Sequence, residues 1–374
     1  TSTTMFIAWK RYSNNSIYGV VATNSSGTLS YGTVTLIYDG STTACTYFTG
    51  RMLSSTAGII TIDRAATALA VPITISGTSI SVGTASATFG TAQSNTVVVG
   101  IAALDSTNCV VTYYTGTTTI VARNIIHNGA SAPTLSTASS SITMTTATNR
   151  AFNAVPLTST TAQIWYPTTG GGGAVTGMST RVVTISGSSA PTLGTAVAYT
   201  VAGNLAGHQV GASSATETFA VMTVNDSTLA GWSTVSFSIS GTTVTVQNNR
   251  TLFTPVTNSL NPCTAFAKVD STTFLSISQI YYGTIAKYTY VSGNNLLATG
   301  TSDLSIMAGE YGSPYGTRMN LYFDTNASYA IYNTPNTQSS LPITDIIPSF
   351  PCGMQMFSGS STTGIIVGFG LQNT

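Results

Sequence analysis

The sequence predicts an all-β fold built from repeated four-stranded antiparallel units, and three observations carry that prediction. A polar turn followed by an apolar run recurs: "LSSTAGIITI" from Leu53, "LDSTNCVV" from Leu104, "LTSTTAQI" from Leu157, "ASSATETFAVM" from Ala212, "VDSTTFLS" from Val269 and "FDTNASYAIY" from Phe323. These copies begin 51, 53, 55, 57 and 54 residues apart, the mark of a repeated supersecondary unit. A hairpin glycine keeps the same beat at Gly27, Gly77, Gly129, Gly187, Gly241 and Gly293, spaced 50, 52, 58, 54 and 52 apart. No helical pattern of eleven or more residues interrupts the series.

Each unit of about 52 residues then reads as four strands. Strand a leads into the Asp/Ser-Ser-Thr turn, strand b follows it, and strands c and d flank the Ser-Gly turn, as in "ITISGTSISVG". Side chains of Asp, Ser and Thr hydrogen-bond the backbone where the chain reverses, and glycine supplies positive φ in a tight hairpin. Apolar and polar residues alternate around the glycine, the pattern of half-buried strands, while Thr, Val, Ile and Tyr fill them. Four-stranded units at this period build a β-propeller, and seven of them nearly exhaust residues 1–374 as one domain.

The ends bear on ring closure. Thr1 begins at a strand b, and "CGMQMFSG" from Cys352 reads as a strand a that joins the N-terminal strands to complete one blade. The seventh unit is degenerate, because "SLPITDIIPSF" has no Ser-Gly hairpin and the next turn motif follows after 34 residues. "GIIVGFGLQ", within residues 364–374, is then an extra strand b without a place. A tandem of β-sandwiches would repeat nearer 90–100 residues.

Composition narrows the function classes. Charged residues are 6% of the chain against a usual share of about 25%, and the 116 Ser and Thr, 31% of it, fill the gap. With 42% hydrophobic residues the chain is not of the disordered class, and no window reaches the roughly 18 apolar residues of a membrane helix. Net charge is +1 with no basic cluster, so neither nucleic-acid binding nor membrane insertion is expected. Solubility through hydroxyls suits the outside of a cell or a particle.

Catalytic and metal motifs are missing. There is no HExxH, phosphate loop, GxSxG or sialidase Asp box, and "TGGGG" ending at Gly173 lacks the Lys of a phosphate loop. His127 and His208 are expected on the surface. Asp105, Asp270 and Asp324 recur in the same a–b turn, which assigns them to turn formation, and Glu217 and Glu310 read as surface residues. The expectation is no enzyme, no cofactor and no metal.

Binding candidates are the tyrosines of the longer connections: Tyr281, Tyr282 and Tyr288 in "SQIYYGTIAKYTY", and Tyr311 and Tyr315 in "GEYGSPYG". Trp9, Tyr113, Trp165, Tyr332 and Phe369 fall near the ends of b strands and are expected to pack blade against blade rather than to stack on sugars. Of the four cysteines, Cys45, Cys263 and Cys352 begin a strands and Cys109 lies in a b strand; they read first as isolated buried thiols, and ring closure, which would set Cys45 beside Cys352, offers a disulfide as the alternative. Asn14, Asn24, Asn225, Asn249 and Asn326 head glycosylation sequons, in a number chance alone supplies.

The pattern carried by "LDSTNCVVTYY", "VDSTTFLSI" and "ISGTSISVGTA" resembles propeller-type repeats of bacteriophage and algal-virus virion proteins and of marine bacterial surface proteins. The resemblance implies a virion or extracellular setting and assigns no active site. The expected role is a non-catalytic structural or adhesive propeller, such as a tail-fibre component, that contacts other assembly subunits, further copies of itself and surface glycans. A secreted carbohydrate-binding lectin is the first alternative. A divergent propeller glycosidase, with two carboxylates in one cleft, is the second.

Overall fold

The computed structural model describes residues 3–11, 13–25, 28–92, 97–144, 152–169, 175–201, 205–224 and 231–253; beyond them it describes the backbone of nine strands, with side chains described no further than Gln247. The first sheet holds β1 (Thr3–Arg11), β2 (Ser16–Ser25), β3 (Thr28–Tyr31) and β4 (Thr35–Tyr38). The second holds β5 (Cys45–Met52), β6 (Ala57–Arg64), β7 (Ala68–Ser76) and β8 (Ser79–Val82). The third holds β9 (Val98–Ala103), β10 (Asn108–Gly116), β11 (Thr119–Asn128), β12 (Ser131–Leu135) and β13 (Ile142–Thr143). The fourth comprises β14 (Asn153–Pro156), β15 (Thr161–Thr169), β16 (Gly177–Thr184), β17 (Thr192–Leu193) and β18 (Val197–Thr200). The fifth comprises β19 (Leu205–Ser214), β20 (Glu217–Val224), β21 (Gly231–Ser240) and β22 (Thr243–Phe253). The sixth contains β23 (Thr264–Lys268), β24 (Thr273–Ile280), β25 (Gly283–Ser292), β26 (Asn295–Ala298) and β27 (Leu304–Ala308), and the seventh β28 (Asn320–Asp324) and β29 (Ala327–Ile331). β30 (Cys352–Ser360) and β31 (Thr363–Gly370) return to the first sheet.

The innermost strands adjoin in a closed ring, β5 to β9, β14, β19, β23, β28, β30 and back to β5. Sheets packed face to face around such a ring bury both of their faces, so the cores lie in the seams. Phe6, Val21, Phe48 and Ile62 fill the first-to-second seam, and Ile59, Val98, Val111 and Tyr113 the next. Val110, Tyr114, Ile164 and Val183 fill the third-to-fourth seam, and Trp165, Tyr199, Met222 and Phe237 the fourth-to-fifth. The alternation expected of half-buried strands therefore holds only on the outer strands such as β8. β6 is buried at six consecutive positions, because a neighbouring blade covers each side.

The two landmarks of the repeat have distinct jobs. In the a–b turn one side-chain oxygen takes the backbone N–H two residues on: Ser54 from Thr56 at 3.2 Å, Asp105 from Thr107 at 2.7 Å, Thr158 from Thr160 at 3.2 Å and Ser214 from Thr216 at 3.2 Å. In the c–d turn Gly77, Gly129, Gly187 and Gly241 take φ of +59°, +66°, +52° and +60°. The second glycine of the "SGTSISVG" phrase is a notch for the neighbouring blade's hairpin tip. A Cβ on Gly83 would stand 2.7 Å from the Ala130 carbonyl oxygen, and Thr84 N–H donates to that oxygen at 2.9 Å. Gly32 meets Thr78, and Gly194 meets Thr242, in the same way.

Two architectural expectations are corrected. Blades are not uniformly four-stranded, because the outer position is split into two short strands in several sheets: β4 pairs β2 beside β3, and β13, β18 and β27 do the same on β11, β16 and β25. In the first and fourth sheets the notch glycines Gly32 and Gly194 stand at that break, where the adjacent tip enters. β1 does not pair directly with the C-terminal strand a either. β31 lies between them, antiparallel to β30 and parallel to β1, giving the order β3-β2-β1-β31-β30.

Candidate functional site

Innermost strands begin, and second strands end, on one face of the disc, here termed the upper face. The register Cys45↔Arg64 places the start of β5 beside the end of β6, and the pairs Asn153↔Trp165 to Pro156↔Ala162 run β14 and β15 in the same opposed senses, with β15 continuing past the start of β14. The parallel pairing of β1 with β31 brings Trp9, Lys10 and Arg11 to this face as well.

Trp9 and Tyr18 are register partners on β1 and β2, and their rings stack at 6.1 Å between centroids and 23° between planes. Both are half-buried. Asn14, in the turn between them, donates from Nδ2 to the Tyr18 hydroxyl at 3.0 Å and accepts Ser16 N–H on Oδ1 at 3.2 Å. The ledge is thus two aromatic rings fixed by a ladder pair and one amide.

Asp63, next to last in β6, has no solvent exposure and is an acid the sequence reading missed. Its Oδ2 accepts Val97 N–H at 2.8 Å and its carboxylate accepts Val98 N–H at 3.2 Å, so it clamps the start of the third blade to the second. Burial pushes its pKa up to about 7 against the opposing pull of those two N–H groups. Nearby Cys45 is pushed by burial to about 12, with Lys10 pulling the other way, and donates to the Tyr47 carbonyl at 3.3 Å. It is a buried free thiol, as is Cys109, and the alternative of a closure disulfide with Cys352 is not formed. β30 does adjoin β5 in the ring, but the Cys45 thiol turns to a carbonyl of its own strand instead.

A second polar group lies in the fourth-to-fifth seam. Asn153 Nδ2 donates to the His208 carbonyl at 2.7 Å, and His208 Nε2 shares a hydrogen bond of 3.1 Å with the Tyr199 hydroxyl. Burial drives His208 down to about 3 and Tyr199 upward, so both are neutral at physiological pH. Deeper in the seam Thr218 donates to Gln163 Oε1 at 2.7 Å, and Gln163 Nε2 donates to Thr180 Oγ1 at 2.8 Å. The buried Trp165 indole nitrogen has no acceptor among the described residues.

Several residue expectations change on these facts. His127 and His208, expected at the surface, are buried at 9% and 4% exposure. His127 bridges blades, with Nε2 at 3.2 Å from the Ile73 carbonyl and Nδ1 accepting Gly129 N–H at 3.1 Å. Both histidines sit on strands covered from two sides, which composition does not reveal. Tyr113 and Trp165 pack between blades as expected. Asp105 serves its turn: burial alone would raise its pKa, but hydrogen bonds from Thr107 and Asn108 hold it low. Glu217 is half-buried and accepts Ser213 Oγ at 2.6 Å. Asp105 and Glu217 belong to the turn end of their blades and Asp63 to the upper end, so these three carboxylates share no cleft. Among the described residues no group of three His, Cys, Asp or Glu could hold a metal.

Tyr281, Tyr282, Tyr311, Tyr315, Tyr332, Asn225, Asn326, Asp270, Glu310 and Cys263 lie outside the described residues. Tyr288, Asn24, Asn249, Asp324, Cys352 and Phe369 lie on described strands, but their side chains are outside them.

No known protein family and no curated protein matches the chain. Solved structures do. A Bacteroides fragilis protein with the provisional name 6-phosphogluconolactonase matches with TM-score 0.51 and 13% identity over 88% of this chain and 93% of its own. The chain is a β-propeller. A Bacteroides uniformis protein of the same provisional name matches with TM-score 0.46 and 10% identity, covering 80% and 85%. The Nup133 propeller domain of Vanderwaltozyma polyspora matches with TM-score 0.43 and 8% identity, covering 84% and 86%. The expectation of no enzyme is corrected here: the Bacteroides fragilis propeller bears an enzyme's provisional name and shares the fold, so missing motifs do not exclude catalysis. At such identities the likeness itself shows the fold alone.

Proposed function

We propose that this propeller binds carbohydrate at its upper face, on an extracellular or virion surface. The stacked Trp9–Tyr18 ledge is the observation that supports it. Sugars present flat C–H faces that pack on aromatic rings, and hydroxyls that pair with fixed amides such as Asn14 beside the ledge. The chain's low charge and wealth of Ser and Thr fit a neutral, hydroxylated ligand better than a charged one. A glycan array followed by calorimetric titration of the best neutral glycan tests the reading. Trp9→Ala is expected to weaken that glycan at least tenfold, the order of a lost aromatic anchor, while leaving Tm within a few degrees. Binding unaffected by Trp9→Ala, or no glycan bound at all, overturns it.

A further inference from the structure

Six sheets are built from strands consecutive in sequence, whereas the first is composite. It takes β1 to β4 from one part of the chain and the β30–β31 hairpin from another. The hairpin holds itself together by antiparallel pairs from Cys352↔Gly370 to Ser360↔Thr363. It meets the rest of the sheet through one ladder, β31 on β1, from Phe6↔Ile365 to Lys10↔Phe369. That ladder is the one parallel pairing among the described strands, and parallel pairing is slightly weaker per residue.

β1 needs a partner there. Phe6 and Ala8 are fully buried on one face, and Met5 and Ile7 nearly so on the other, so an open β1 edge would present apolar surface on both sides of an unpaired ladder. Nothing in a backbone ladder specifies which copy of the chain supplies the hairpin. The 20 residues 332–351 between β29 and β30, with Pro335, Pro342, Pro348 and Pro351, could reach at most about 70 Å if extended. A net charge of +1 offers no long-range repulsion against a second copy.

We infer that the β30–β31 hairpin is an exchangeable closure, which one copy of this chain donates to β1 of another. Closed and exchanged forms make the same ladder, so chain concentration against the tether's effective concentration sets the balance. Because donor and acceptor surfaces differ, the exchange is head-to-tail and yields closed rings or open chains of propellers. The inference does not depend on the carbohydrate reading.

Two full-length forms with different affinity tags test it when co-expressed, one carrying Ala8→Cys alone and the other Val367→Cys alone. A disulfide between positions 8 and 367 can then form only across copies, and peptide mass mapping separates it from the native thiols. Random mixing of two equally expressed copies is expected to link about a quarter of the exchanged closures. A single chain carrying both substitutions fixes the register. If that chain forms the 8–367 link and the co-expressed pair does not, exchange is overturned. Lys10→Cys with Phe369→Cys, the next register pair on the same face, is run identically in case the first pair disturbs folding. If neither pair links in either arrangement, β31 does not lie on β1 and the inference falls with it.

Discussion

The second-to-third and fourth-to-fifth seams solve one problem with opposite chemistry. Both must carry polar side chains between blades that bury nearly everything else. The first uses a carboxylate, Asp63, aimed at two backbone N–H groups of the neighbouring blade. The second uses neutral pairs, His208 with Tyr199 and Asn153, and Gln163 with Thr180 and Thr218. Blade geometry is shared, so the difference shows that the fold fixes where a seam needs a polar stitch but not whether it ionises. Only the ionisable stitches make a seam answer to pH.

The largest expected effect follows from their opposite signs. Asp63 is raised to about 7, so its neutral form is favoured in the fold. Its contribution is full below the unfolded value near 3.8 and is lost as pH rises through about 7. His208 is lowered to about 3, so its neutral form is favoured too. Its contribution is full above about 6.5 and is lost as pH falls through about 3. Each swing is at most roughly 5 kcal/mol, a little over three units at about 1.4 kcal/mol apiece. Between pH 4 and 6.5 they oppose one another, so the wild-type midpoint of denaturation should change little. Asp63→Asn should unmask stability that rises with pH across that range, and His208→Gln stability that falls. Chemical denaturation at half-unit pH steps reads both slopes; parallel slopes in the two variants would show that the seams do not differ as argued.

The notch glycines sharpen the comparison at a position that carries no charge. Gly83→Ala would push a Cβ to 2.7 Å from the Ala130 carbonyl oxygen and 2.8 Å from Pro72 Cγ, so the hairpin tip must retreat. Overpacking of this kind costs roughly 1–3 kcal/mol. Gly116→Ala meets nothing nearer than 3.8 Å and should change stability little. Thermal melts of the two variants measure the contrast, and the Gly83 loss should be the same at pH 5 and pH 8.

The repeat was legible because turn chemistry is local. An acceptor such as Asp105 and a positive-φ residue such as Gly77 must stand at fixed places in every unit, whatever surrounds them. The seams were not legible, since Asp63 and His208 find their partners on other blades. The nearest signal was the misfit of one acid inside the apolar strand "AGIITIDR", where equivalent strands carry Tyr114 and Pro167. The closure was misread for a related reason. Sequence periodicity identifies "GIIVGFGLQ" as a strand, but the parallel joint to β1 belongs to no repeated unit.

The smallest effect tests whether the neutral seam is independent of the charged one. Thr218→Val keeps the side chain's shape and removes the hydroxyl that donates to Gln163 Oε1, leaving that buried oxygen without a donor. The loss should be about 1–2 kcal/mol, and Thr218→Ser, which restores the hydroxyl, should recover most of it. The third blade stands between this network and Asp63, and the two share no partner. Combined with Asp63→Asn, the Thr218→Val loss should therefore add within about 0.5 kcal/mol, the margin for separated sites. A larger coupling in that double-mutant cycle would mean that strain passes through a whole blade, so that the ring responds as one elastic body and the seams are not separate stitches.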